Sequence, residues 1–203
     1  KRALLTMDKD SITSASVLGT KEDIEKITPE NLYTYYKKFF DNSLCNIYII
    51  GDLDMDEVVK IISQSFHNNC IKKHSVDPYV ENKKRRKVLV TEEESTFGQT
   101  NLVMGFNLDN LTEEERFIYL TLFDEILCAG GLKSKICYAL REENQLCYSV
   151  SSIASKYDNL YYVYVSLEDK NTDLAIKLIK KKVKDMANGK ITDEEFENAK
   201  KQL

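Results

Sequence analysis

No hydrophobic run in the chain approaches the roughly 20 residues a helix needs to cross a bilayer. No charged-then-apolar segment reads as a signal peptide. Histidine is scarce: His67 and His74 are the only two, and neither H-E-x-x-H nor H-x-x-E-H occurs. A zinc site of either helical kind cannot be built from this chain's own residues. The five Cys include no C-x-x-C pair, which excludes the usual cysteine zinc framework. No Ser or Cys has a His placed to activate it, and Gly98, Gly130 and Gly131 form no phosphate loop. Net charge is −4, against a nucleic-acid or anionic-membrane partner. These absences make a cytoplasmic protein the expectation, with no metal ligands and no catalytic residues of its own.

What is present suffices for a packed core. The 203 residues are 42% hydrophobic and 31% charged, ordinary for a globular protein of one large or two small domains. Cys45, Cys128, Cys137 and Cys147 lie in apolar contexts and read as buried, reduced thiols. Residue 1 is Lys, and Leu203 falls inside a charged helical pattern, so the chain reads as a piece of something longer.

The first part, residues 1–66, reads as helix, helix, strand, helix. Thr20 or Lys21 opens the first helix. Thr28 caps the second with Pro29 behind it, and Leu32, Tyr35, Tyr36, Phe39 and Phe40 follow at helical spacing. Residues 45–52 form an apolar run ended by Gly51-Asp52, a buried strand. Asp54 caps a helix carrying Val58, Val59 and Ile62. Residues 67–85 are polar and aperiodic, a linker, and His67 and His74 belong to it beside Asn68 and Asn69.

The second part, residues 86–203, reads β-β-α-α-β-β-α-α. Strands are expected over 86–91 and 98–108, the latter with Thr100, Leu102, Met104 and Phe106 on one face. Thr112 and Glu115 make a capping box before an apolar helix. Gly130-Gly131 breaks it, and a shorter helix covers 132–142. Residues 146–154 and 161–167 form a hairpin. The next helix, 171–187, turns Leu174, Ile176 to Ile179 and Val183 inward, and Gly189 ends it. Thr192 caps the last. Paired strands alternating with helix pairs imply an α+β two-layer sandwich, an antiparallel-rich sheet covered on one face by helices. The first part resembles the closing half of the same plan, since Ile27-Thr28 and Ile191-Thr192 both precede helix starts.

Arg141 and Tyr148 stand out at the junction of the short helix and the hairpin. Arg carries a planar fork of donors and Tyr a phenolic donor on a rigid ring. The pair could grip a peptide carbonyl. The plainer alternative pairs Arg141 with Glu142 or another surface acid and packs Tyr148 on the sheet.

The segment around this pair, Gly130-Gly131-Leu132-Lys133-Ser134-Lys135 and then Leu140-Arg141-Glu142-Glu143-Asn144-Gln145-Leu146-Cys147-Tyr148, resembles the pitrilysin/insulinase zinc metallopeptidases. That family includes the mitochondrial processing peptidases and their bacterial relatives. Gly98-Gln99, Met104-Gly105, Asn188-Gly189-Lys190-Ile191-Thr192 and, earlier, Gly19, Ile27-Thr28 and Tyr36 extend the likeness over most of the chain. The resemblance implies the processing-peptidase-like (LuxS-like) fold and a C-terminal-type domain that follows the end of a similar one. It implies that Arg141 and Tyr148 bind substrate peptide opposite a zinc site. Zinc is then expected in the complete assembly, upstream or on a homologous partner subunit, as in the bacterial heterodimers with a non-zinc subunit. The alternative is an inactive scaffold subunit of the same fold, like the core subunits of respiratory complexes.

Overall fold

A computed structural model describes residues 2–7, 14–43, 46–65, 87–94, 96, 98–108 and 111–203. It divides into two compact units, Ser16–Asp77 and Pro78–Leu203, the latter taking in Lys1–Ala15 and so α1 (Arg2–Met7). The expected linker 67–85, with His67 and His74, lies outside the described residues, as does Cys45.

In the unit Ser16–Asp77 each helix begins where a short polar side chain can satisfy free N–H groups. Thr20 caps α2 (Lys21–Glu25) in a reciprocal box with Asp23. Thr28 does the same with Asn31 at the start of α3 (Pro29–Asn42). Asp54 Oδ1 accepts from the Asp56 and Glu57 amides, at 2.9 and 3.0 Å, before α4 (Met55–Ser65). The apolar face of α3 is as periodic as expected, yet Leu32, Tyr35, Tyr36, Phe39 and Phe40 are all exposed. Among the described residues those rings stack on one another, Tyr36 and Phe40 at 4.6 Å. The expected strand over 45–52 is not formed by its described residues. Residues 46–50 have no strand partner, and Ile50 is 100% exposed. An apolar run becomes a buried strand only beside other strands and beneath a cover, and this unit has no other strand among its described residues.

The unit built on Pro78–Leu203 holds a sheet of three antiparallel strands in the order β1-β3-β2. These are β1 (Thr100–Asn107), β2 (Cys147–Ser155) and β3 (Leu160–Leu167). Of the strand expected over 86–91, the described residues 87–91 form no strand, and Val88 and Val90 are exposed. Register sets the faces. Leu102, Met104 and Phe106 oppose Val165, Val163 and Tyr161 on the inner face. Val103 and Gly105 oppose Tyr164 and Tyr162 on the other.

Helices cover the inner face, which is the two-layer α+β plan. The helix over 113–129 alternates π-helical Glu115–Tyr119 and Glu125–Ala129 around α5 (Leu120–Asp124). After the break come α6 (Lys135–Cys137) and a π-helical turn Tyr138–Glu143. Finally, α7 (Thr172–Ala187) packs on the core and α8 (Asp193–Gln202) closes the chain. The core joins Leu127, Ile136, Leu140, Val163, Val165, Leu167 and Ile179. Each such burial contributes about 1.5–3 kcal/mol. On α7 the inward stripe is Ala175, Ile179 and Met186, while Leu174 points to solvent. The expected Leu178 and Val183 do pack against the core beside Ile179, so only Leu174 departs from the expected face. Cys128 and Cys137 are buried free thiols, and Cys147 is half-buried.

Candidate substrate-binding site

The site grows from the Gly pair. Gly130 donates to the Glu125 carbonyl at 2.9 Å. A Cβ there would collide with that same oxygen. Gly131 follows with φ +66°, the left-handed region that Gly enters without strain. Together they end one helix and start the next within a single turn. Ser134, almost fully buried, fastens the junction by donating to the Cys128 and Gly131 carbonyls, at 2.9 and 2.7 Å.

The helix leaving this junction is anchored on its inner side and free at its end. Ile136, Ala139 and Leu140 are completely buried. Lys135 Nζ lies 2.6 Å from Glu195 Oε1 on α8, a mostly buried ion pair. Burial alone would raise the Glu195 carboxyl. The Lys135 ammonium and the Thr192 cap outweigh it and hold the group below its ordinary value. At the helix end, Asn144 Nδ2 donates to the Ala139 carbonyl and the Leu146 amide to the Leu140 carbonyl, both at 2.7 Å. Gln145, at φ +51°, turns the chain into β2.

Arg141 and Tyr148 sit on either side of this turn. Arg141 lies in the last helical turn with its side chain 52% exposed, its Nε 3.7 Å from Glu142 Oε1. Tyr148 is 61% exposed. It occupies a β-bulge, since the register of β2 against β3 shifts between Cys147 and Ser149. A bulge frees one residue from the alternation and re-aims its side chain. The Tyr148 hydroxyl lies 3.4 Å from Glu168 Oε1, and Glu168 Oε2 is 2.6 Å from Lys170 Nζ. Lys170, more than Tyr148, holds the Glu168 carboxyl below its ordinary value. Both expected residues are therefore solvent-facing donors on buried supports, each held by one exposed carboxylate. Exposed pairs of this kind stabilise little and yield readily to a better acceptor.

Two polar clusters escape sequence reasoning. Arg116 is buried, donating from Nε to the Leu111 carbonyl at 3.1 Å and from Nη1 to the Lys156 carbonyl at 2.8 Å and to Asn159. It locks the turn of the β2–β3 hairpin. Asp124 Oδ1 accepts from Ser152 at 2.5 Å and from Tyr161 at 2.7 Å, tying helix to sheet. No local motif marks either cluster, because the partners Lys156 and Asn159 of Arg116, and Ser152 and Tyr161 of Asp124, lie 28 to 43 residues away.

Zinc does not fit the described residues. No group of three or more His, Cys, Asp or Glu among them is placed to hold a metal. Burial pushes the Cys128 thiol up to about 12, far from the thiolate a metal needs, and two hydroxyls already occupy the Asp124 oxygen. No described helix is long and apolar enough to cross a membrane.

The second unit is thus a helix-covered α+β domain that presents two donors at a helix-to-strand junction. The sequence pattern described as the peptidase M16 inactive domain matches residues 26–203. The chain belongs to the peptidase M16 family, and the matched region is its inactive domain. A Bacillus subtilis protein named probable inactive metalloprotease YmfF is 24% identical over 98% of this chain and 46% of its own length. The Helicobacter pylori non-peptidase homolog YmxG is 28% identical over 93% of this chain and 43% of its own length. An uncharacterized zinc protease of Streptomyces coelicolor is 24% identical over 98% and 44%. The chain therefore spans about half the length of the curated relatives it matches. A crystal structure of a conserved Enterococcus faecalis protein superposes with a TM-score of 0.84 at 22% identity, covering 98% of this chain and 47% of that one. This last likeness concerns the fold.

Proposed function

We propose that this chain is the non-catalytic, substrate-holding part of an M16 peptidase, and that Arg141 and Tyr148 hold the peptide. The metal-bearing site belongs to a homologous domain or partner subunit. On this reading residues 1–66 end a preceding domain of the same plan, 67–85 link, and 86–203 form the peptide-holding domain. The observation that carries the reading is the setting of the two donors. Both project to solvent from anchored backbone, one from the last helical turn and one from a bulge on β2, an edge strand among the described residues. A guanidinium and a phenol so held can donate to one peptide carbonyl, and their hydrogen bonds strengthen as its oxygen gains negative charge. Fixed donors need no reorganisation at that moment, which is where such groups accelerate hydrolysis.

The match to an inactive domain, with relatives named inactive or non-peptidase, favours a second reading, a scaffold subunit that never touches substrate. Turnover by the complete assembly separates the two. Arg141→Ala or Tyr148→Phe should slow peptide cleavage by about one to three orders of magnitude if the pair serves the reaction. Unchanged cleavage by both variants would leave the scaffold reading.

A further inference from the structure

The turn between Arg141 and Tyr148 closes at one residue. Leu146, 9% exposed, donates its amide to the Leu140 carbonyl at 2.7 Å, and Leu140 immediately precedes Arg141. Two residues on, Tyr148 stands in the bulge between Cys147 and Ser149. The path from one donor to the other therefore runs through Leu146. Its amide faces the helix end, and its carbonyl belongs to the peptide bond that enters Cys147 and the bulge.

That carbonyl is held from outside the turn. Asn171 Nδ2 donates to it at 3.1 Å, across 25 residues of sequence. A carbonyl only accepts, so the NH₂ end of the Asn171 amide is the end that must face it. Asn171 stands directly before α7, where an Asn side chain commonly turns back to cap its own helix. It makes no such cap bond, and serves the entry to β2 instead. The same connection between β3 and α7 reaches the site a second time, through Glu168 Oε1 at 3.4 Å from the Tyr148 hydroxyl. The Asn171 amide donates to the Glu168 carbonyl at 2.9 Å, which fixes the two residues relative to each other.

We propose that Asn171 is a positioning residue for Arg141 and Tyr148, holding the Leu146 peptide group so that the bulge presents Tyr148 at a fixed distance from Arg141. The proposal rests on the reading that this pair holds peptide. A bulge interrupts the ladder where its extra residue sits, so the strand entry has few bonds of its own to define its angle. With the Leu146 carbonyl released, the bulge can swing while the buried Leu140 end stays in place. The two donors then lose their common target, and a displacement of about 1 Å at such groups costs on the order of a hundred-fold in rate.

The test uses the complete peptidase assembly for turnover and this chain for amide exchange. Asn171→Asp keeps the shape of the side chain and removes the donor, and an acid near a helix N-terminus does not weaken α7. Exchange at the Leu146 and Ser149 amides should quicken, while the buried helix residues 136–140 exchange as in the wild type. Turnover should show kcat lowered about ten-fold or more, KM little changed and the thermal midpoint held. In a Tyr148→Phe background the same substitution should slow cleavage no further, because its effect passes through Tyr148. Asn171→Ala, which brings no carboxylate to the carbonyl, should repeat the pattern and decides the matter if Asn171→Asp fails to fold. Wild-type kcat in a folded variant, beside a slow Tyr148→Phe, overturns the role of Asn171 alone. So does unchanged exchange at Leu146, and so does a rate loss that recurs in full in the Tyr148→Phe background or tracks a lowered midpoint. Cleavage at the wild-type rate by Tyr148→Phe itself removes the peptide-holding pair, and the role of Asn171 falls with it.

Discussion

The two units carry helices of similar quality and differ in what those helices cover. In Ser16–Asp77, α3 has its cap, its Pro and a full apolar stripe, yet its Tyr and Phe rings are exposed. In the unit built on Pro78–Leu203, the short helix at 135–143 has irregular hydrogen bonding and no side-chain cap, yet Ile136, Ala139 and Leu140 are wholly buried. The weaker local signals thus mark the better-packed helix. Capping and periodicity fix where a helix runs, whereas a sheet at the right distance decides whether its apolar face counts toward stability. Arg141 and Tyr148 stand on the unit whose helices have that support.

The sharpest way to break this contrast is a matched pair of truncations. Leu140→Ala should cost about 2–5 kcal/mol in chemical denaturation, because it empties a fully enclosed site. Phe39→Ala, removing a larger but exposed ring, should change stability by about 0.5 kcal/mol or less. Equal losses would mean that the α3 face is covered after all. Next in size is Arg116→Ala, which strips the hairpin turn of its charged donors. A loss of about 1.5–3 kcal/mol is expected, with faster amide exchange at the turn residues 156–159. An unaltered exchange pattern there would remove Arg116 from that role.

The smallest effect concerns acid. The folded Glu195 carboxyl lies below its unfolded value of 4.5. The stability it contributes is therefore complete above that value and lost as pH falls through the lower, folded one. Lys135→Met removes the ammonium that depresses it, so the variant should lose less stability than the wild type on titration below about pH 4.5. Parallel acid titrations of the two would place the dependence elsewhere.

Much of this was legible in advance. Thr28, Asp54, Thr112 and Thr192 mark helix starts through side chains that reach only two or three residues, and such signals survive any tertiary setting. Gly130-Gly131 marks the break for the same reason. The inner face of β1 follows from alternation alone. Exposure of the α3 rings and of residues 46–50 was not legible, since the pattern shows which residues seek burial and not whether a partner surface is there. The α7 stripe was misplaced at Leu174 because several apolar residues in succession leave the helix rotation open until the sheet beneath is known. The junction that carries Arg141 and Tyr148 could be singled out by residue type and spacing. The bulge that turns Tyr148 outward could not, because it is a property of the register against β3 and not of β2 alone.

We propose that Arg141 and Tyr148 act together on bound peptide and contribute nothing to folding. A double-mutant cycle on the complete peptidase assembly tests it most directly, with cleavage rate and thermal midpoint measured for Arg141→Ala, Tyr148→Phe and both. The expected result is unchanged midpoints, a large rate loss in each single variant and a double variant little worse than the poorer single one, as for donors to one carbonyl. Full activity in the double variant, or rate losses that track lowered midpoints, would contradict it.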